Sequence, residues 1–133
     1  MPSLFPGLLD YSGFAPLILR LALGLVFVVH GYPKLFTHFS QTKEFFNSVG
    51  IKPAKFWVFV VGAVEFFGGI ALILGFAVQL AALLIAINMI VAILLVKFRK
   101  GFVGGYEFDL ALLAIAVSLL FLGAGFYAFD LPL

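Results

Sequence analysis

The amino-acid sequence predicts an all-α integral membrane protein, a bundle of four helices that each cross the bilayer. Three observations carry that prediction. Of the 133 residues, 65% are hydrophobic and only 11% are charged. The mean hydropathy is +1.26. The apolar residues also fall into four runs long enough to span, at about 15–36, 56–74, 78–96 and 110–126. A soluble domain is about a quarter charged, so this chain has too little polar surface to cover a fold in water. Four spans of about 20 residues each leave room only for termini and connections. Residues 1–133 are therefore expected to form a single transmembrane domain, with any chemistry within or beside the membrane.

The first run, 15–36, opens with Pro16, whose missing N–H costs nothing in a first helical turn, and has Ser12 and Gly13 as cap positions. Gly31 and Pro33 loosen its far end, because Pro33 supplies no backbone donor. No basic residue precedes this run, and it is longer than the apolar core of a signal peptide, so it is expected to be retained. The stretch 37–55, THFSQTKEFFNSVGIKPAK, mixes polar and aromatic residues. It reads as a connector with a short helix in the headgroup zone, where Phe39, Phe45 and Phe46 lie beside Lys43 and Glu44. The second run, 56–74, follows Pro53 and stops at Gly75. Only Gly75 to Ala77 separates it from the third, 78–96, which makes these two helices antiparallel neighbours. Lys97, Arg99 and Lys100 then halt the third run. The glycine-rich stretch 101–109 lacks the spacing and strand context of a phosphate-binding loop, and Asp109 is expected to cap the fourth run, 110–126.

Charge sets an expected direction. Lys34, Lys43, Lys52, Lys55, Lys97, Arg99 and Lys100 all lie in or beside the connections after the first and third spans. The opposite face carries Asp10 and Asp130, and Arg20 lies inside the first span. By the positive-inside rule both termini lie outside the cytoplasm and the basic loops inside, as in a multi-pass protein of the cell membrane. The same loops explain the net charge of +2 through topology and attraction to anionic lipid, with no nucleic-acid function. The chain has no cysteine, which excludes disulfides, thiol exchange and thiolate-held clusters. His30 and His38 stand about 12 Å apart along a helix, too far to clamp one haem or metal ion, and no metal site is expected.

Ionisable groups within hydrocarbon are costly and mark functional candidates. Counting about 1.5 Å per residue from the span ends on the face carrying the termini, Arg20 lies about 7 Å deep, Glu65 about 14 Å and Asn88 about 15 Å. Arg20 and Glu65 are therefore the expected ion pair, in the half of the bilayer nearer the termini, with Asn88 beside them. His30 is a candidate quinone or proton partner in the other half. Gly62 and Gly69 flank Glu65 on one face, and Gly24, Gly31 and Lys34 follow Arg20 on one face of the first span, so these faces are expected to meet. Two readings stand: polar side chains that fix helix register, or the lining of a pocket or proton relay. Ser118 is expected to bond its own helix, and the 18 Phe residues read chiefly as lipid-facing and interhelical packing.

LRLALGLVFVVHGYPKLF at 19–36, GAVEFFGGIALILG at 62–75, KGFVGGYEFDLALLA at 100–114 and GAGFYAFD at 123–130 together resemble the DoxX family of small four-helix membrane proteins. On that pattern Arg20, Gly24, Gly31 and Lys34 match the first-helix motif, Glu65, Gly68 and Gly69 the second, and Gly104, Gly105 and Glu107 the approach to the fourth. The resemblance implies a membrane subunit of respiratory or redox chemistry, of the thiosulfate:quinone oxidoreductase or terminal quinol oxidase kind. Quinone would then be the ligand, the chain would hold no redox cofactor of its own, and a soluble redox partner would dock on the basic loops. Two other readings stay open: a carrier or binding protein for a small polar or lipidic molecule, and a non-catalytic scaffold. Four helices are few for a transporter, so a carrier points to a homo-oligomer.

Overall fold

Proline and glycine divide the chain where its apolar runs end, and the computed structural model, which describes residues 1–130, shows what each break does. A 3₁₀ turn, Pro6–Tyr11, leads into α1, Phe14–Tyr32, whose N-terminal flank is Gly13. Pro33 has no N–H to continue the helical ladder, so α1 runs on as a widened turn, Pro33–Thr37, closed by His38 N donating to Pro33 O at 2.7 Å. A short helix, α2 (Phe39–Ser48), lies in the connector and buries Phe46 against Ala54 and Val58. Next comes α3, Ala54–Leu74, which ends at Gly75 in the left-handed conformation at φ 72°. Phe76 N closes that end by donating to Ala71 O at 2.9 Å. The following helix, α4 (Val78–Ala92), continues through Ile93–Lys97 and Phe98–Lys100, and α5 is Glu107–Leu122.

Among the described residues four helical segments are long and apolar enough to cross a membrane: Phe14–Thr37, Ala54–Leu74, Val78–Lys100 and Phe102–Leu122. The chain is an all-α, multi-pass membrane bundle. The third span reaches Lys100 rather than residue 96, because long basic side chains carry their charge outward while the backbone stays helical. The fourth span is displaced from the expected 110–126 toward the N-terminus. Glu107 Oε1 accepts a hydrogen bond from Gly104 N at 3.0 Å across the glycine turn, so Glu107 and Asp109 open α5. Asp109 consequently lies in the first turn and not at the cap, where Tyr106 stands. Gly123 ends the helix at φ 72°.

The core is built from Leu23, Phe27, Leu72, Ile85, Ala116 and Leu119, while Phe67, Leu94 and Phe121 face outward, as an apolar solvent requires. The closest helix contact is a seam of small residues between antiparallel α1 and α3. A Cβ added at Gly24 would stand 2.7 Å from Gly69 O, and one at Gly31 would stand 2.5 Å from Phe66 N. Backbone meets backbone there, which lets dispersion contacts hold the helices together without an aqueous hydrophobic effect. Gly68 differs, because its nearest neighbour would be the end of the Ile85 side chain at 3.3 Å. Gly31→Ala is expected to lower unfolding free energy in mixed micelles by about 1–3 kcal/mol through overpacking, and Gly68→Ala by well below that. Equal losses would contradict the seam.

Candidate functional site

The register of the α1–α3 seam decides where every intramembrane charge goes. Gly24 lies against Gly69 and Gly31 against Glu65 and Phe66, so Arg20 stands level with the end of α3, about eight residues or 12 Å from Glu65. Side chains on a helix also lean toward its N-terminus. Arg20 therefore leans away from Glu65, and the expected Arg20–Glu65 pair does not form. Its guanidinium is fully buried and donates only to carbonyls. Nε reaches Ala124 O at 2.8 Å, Nη1 Leu72 O at 3.0 Å and Ile73 O at 3.5 Å, and Nη2 Phe126 O at 2.8 Å and Tyr127 O at 3.0 Å. Every guanidinium N–H is thereby used. Arg20 satisfies the free carbonyls at the end of α3 and ties down the segment after α5. Asp130 completes this end, its carboxylate accepting from Ala77 N at 2.6 Å and Val78 N at 2.8 Å at the start of α4.

Glu65 is paired from the opposite direction. Lys34 stands level with Gly62, where a Cβ would come 3.3 Å from Lys34 Cβ, so the missing side chain leaves room for the lysine stem. The same N-terminal lean aims Lys34 back along α1 toward Glu65, and its Nζ donates to Glu65 Oε2 at 2.7 Å. Asn88 Nδ2 donates to the other oxygen, Oε1, at 3.2 Å. The Glu65 side chain is 5% exposed and that of Lys34 25%. Three helices thus converge on one carboxylate, and the ion pair is reachable from its lysine side.

This network lines a cavity of about 570 Å³. Its walls include Phe27, Trp57, Phe108 and Met89, with His30 and Asp109 among them, and Lys52 and Lys97 border it toward the basic loops. The cavity occupies the half of the bundle nearer those loops, not the half nearer the termini where the sequence places the site. His30 Nδ1 lies 2.6 Å from Val26 O, a group that only accepts, so Nδ1 carries the proton and Nε2 is left free. Its ring lies 6.3 Å from that of Phe108. A recess of about 780 Å³ at the other end, between the start of α4 and the end of α5, has Asp130 as its titratable side chain, and that carboxylate is already used as a cap.

The remaining sequence-derived residues are not brought together. Gly104, Gly105 and Glu107 shape the turn into α5, whereas Lys34, grouped with them by motif, belongs to the Glu65 network. Ser118 donates to Ala114 O at 2.8 Å within its own helix. Asp109 is the cavity residue that sequence reasoning misses. The available signal is an acid three, seven and ten residues before Leu112, Ala116 and Leu119, which form the buried stripe of α5.

A glycine-seamed bundle that holds a half-buried lysine–glutamate pair at the head of an aromatic-lined cavity defines a multi-pass membrane protein with an intramembrane polar site. The chain belongs to the DoxX family, whose model matches residues 15–98, the first three spans. It is 37% identical over 114 residues to "Putative oxidoreductase CatD" of Bacillus subtilis (strain 168), covering 86% of this chain and 83% of that protein. It is 32% identical over 140 residues to "Uncharacterized membrane protein Rv3486" of Mycobacterium tuberculosis (strain ATCC 25618 / H37Rv), covering 95% and 86% respectively. No solved structure matches it.

Removing one member of a buried ion pair leaves the other uncompensated. Lys34→Met is expected to cost about 3–5 kcal/mol of stability, and adding Glu65→Met to recover most of it. Additive losses would show that the two side chains do not interact.

Proposed function

We propose that this chain is the membrane subunit of a quinone-linked oxidoreductase system and that its cavity holds a quinone-type ring, with one ring oxygen at Lys34 and Asn88. The carrying observation is the Lys34–Glu65–Asn88 network at the head of an apolar, aromatic-walled cavity. Its volume of about 570 Å³ lies within the usual range for small-molecule pockets. Flat aromatic walls suit a ring, and a few convergent polar groups suit its oxygens. Lys34 has further N–H groups beyond the one given to Glu65, and Asn88 has a second amide hydrogen. Glu65 orients both donors. His30 Nε2 offers a further polar contact or a place for a proton. Family membership and the oxidoreductase name of the Bacillus subtilis relative support placing the ligand in redox chemistry.

The cavity's approach by Lys52 and Lys97 favours a soluble redox partner on the basic loops, supplying whatever redox cofactors the reaction uses. The excess of Lys and Arg on that face favours its placement in the cytoplasm, with the termini outside a cell membrane.

Purification in mild detergent and mass spectrometry of co-extracted lipid is expected to find a quinone with the wild-type chain and at least tenfold less with Glu65→Gln. A different small molecule, or equal quinone in both, would contradict the reading. In the cysteine-free chain, Lys43→Cys is expected to be shielded from impermeant thiol reagents on intact cells, and labelling there would reverse the orientation.

A further inference from the structure

Three charged residues are buried among the described residues of this bundle, Arg20, Glu65 and Asp109. The first two are saturated with partners, and the third is not. Asp109 is 8% exposed and heads the buried stripe of α5, yet no hydrogen bond from the described residues reaches its carboxylate, and the described ion pair is Lys34–Glu65. A carboxylate in the first turn often takes the amide of the cap residue. Here that amide, Tyr106 N, donates to Gly101 O at 3.0 Å, and the nearby Gly104 N donates to Glu107. No side-chain oxygen sealed from contact lacks a partner among the described residues, so the Asp109 oxygens face open space, and the cavity is what Asp109 borders.

The cavity therefore offers both kinds of partner: Lys34 and Asn88, from the extension of α1 and from α4, present N–H donors, and Asp109, from α5, presents an acceptor. An oxygen that only accepts, such as a carbonyl, suits Lys34 and Asn88 and is repelled by Asp109. A hydroxyl suits Asp109, because it brings the hydrogen that the carboxylate lacks. Resting on the quinone-type reading above, we propose that Asp109 is the acceptor for a ligand hydroxyl, so that the cavity binds the reduced, dihydroxy form of the ring in preference to the oxidised, dicarbonyl form. Sites built to hydrogen-bond a hydroxyl discriminate strongly against analogues without one, because the protein group is left unpaired.

The test is equilibrium binding, under anaerobic conditions, of decyl-tailed ubiquinol and decyl-tailed ubiquinone to the full chain in lipid nanodiscs. The wild type is expected to bind the quinol at least about tenfold more tightly, as one charged hydrogen bond provides. Asp109→Asn keeps the shape and adds a donor. It is expected to abolish the preference by weakening quinol binding, with quinone binding unchanged or improved. Because no described residue partners the carboxylate, the ligand-free melting temperature of Asp109→Asn is expected to equal or exceed that of the wild type. A wild type without preference, a variant weakened equally for both forms, or a destabilised ligand-free variant would each overturn the assignment. If the wild type binds neither form, the quinone-type reading itself fails, whereas binding without preference removes only the role of Asp109.

Discussion

A carboxylate in the middle of a bilayer has no water to solvate it, and that requirement at Glu65 organises the rest of the molecule. The glycine seam brings α1 close enough for Lys34 to reach it, and the short turn between α3 and α4 sets Asn88 on its other side. Both oxygens are thereby satisfied, at 2.7 and 3.2 Å. A buried ion pair is weak as a source of stability, since desolvation offsets much of the attraction. What the pair does have is a face on the cavity beside it, which Lys34 and Glu65 both line.

The two ends of the bundle are built for different tasks. At the terminal face Arg20 joins α1, α3 and the segment after α5 through carbonyls, Asp130 caps α4, and Phe126 N donates to Gly13 O at 3.2 Å. Arg20 and Asp130 there are both answered by groups within the protein. At the basic face the helices line a cavity in which His30 Nε2, part of Lys34 and Asp109 have no partner among the described residues. A locked end that fixes helix positions and an open end with unpaired polar groups is the arrangement expected when a rigid scaffold supports a binding site.

Hydropathy and breakers made the four spans legible from sequence, because the bilayer demands long apolar helices whatever the packing. The fourth span starts and ends earlier than hydropathy indicates, since the hydrogen bond from Gly104 N to Glu107 Oε1, which closes the glycine turn, is invisible to composition. Equal depth suggested Arg20 as the partner of Glu65, and two facts reversed it. The seam sets Arg20 level with residue 73, and helical side chains lean toward the N-terminus, which sends Arg20 outward and Lys34 inward. The lean is a property of every helix and was available in advance, whereas the register depends on which glycines meet. An acid beside a helix start is usually a cap, and only the prior use of the neighbouring amides leaves Asp109 without a partner among the described residues.

Solid-state NMR of the chain in lipid bilayers, with ¹⁵Nζ-lysine and ¹³Cδ-glutamate labels assigned by substitution, measures the Lys34–Glu65 separation directly. Direct contact is expected, on the order of 3–4 Å between the labelled atoms for a charge-assisted hydrogen bond. A separation beyond about twice that, with the Glu65 carboxyl instead coupled to the Arg20 guanidinium, would contradict the division into a structural arginine and a site-forming lysine–glutamate pair.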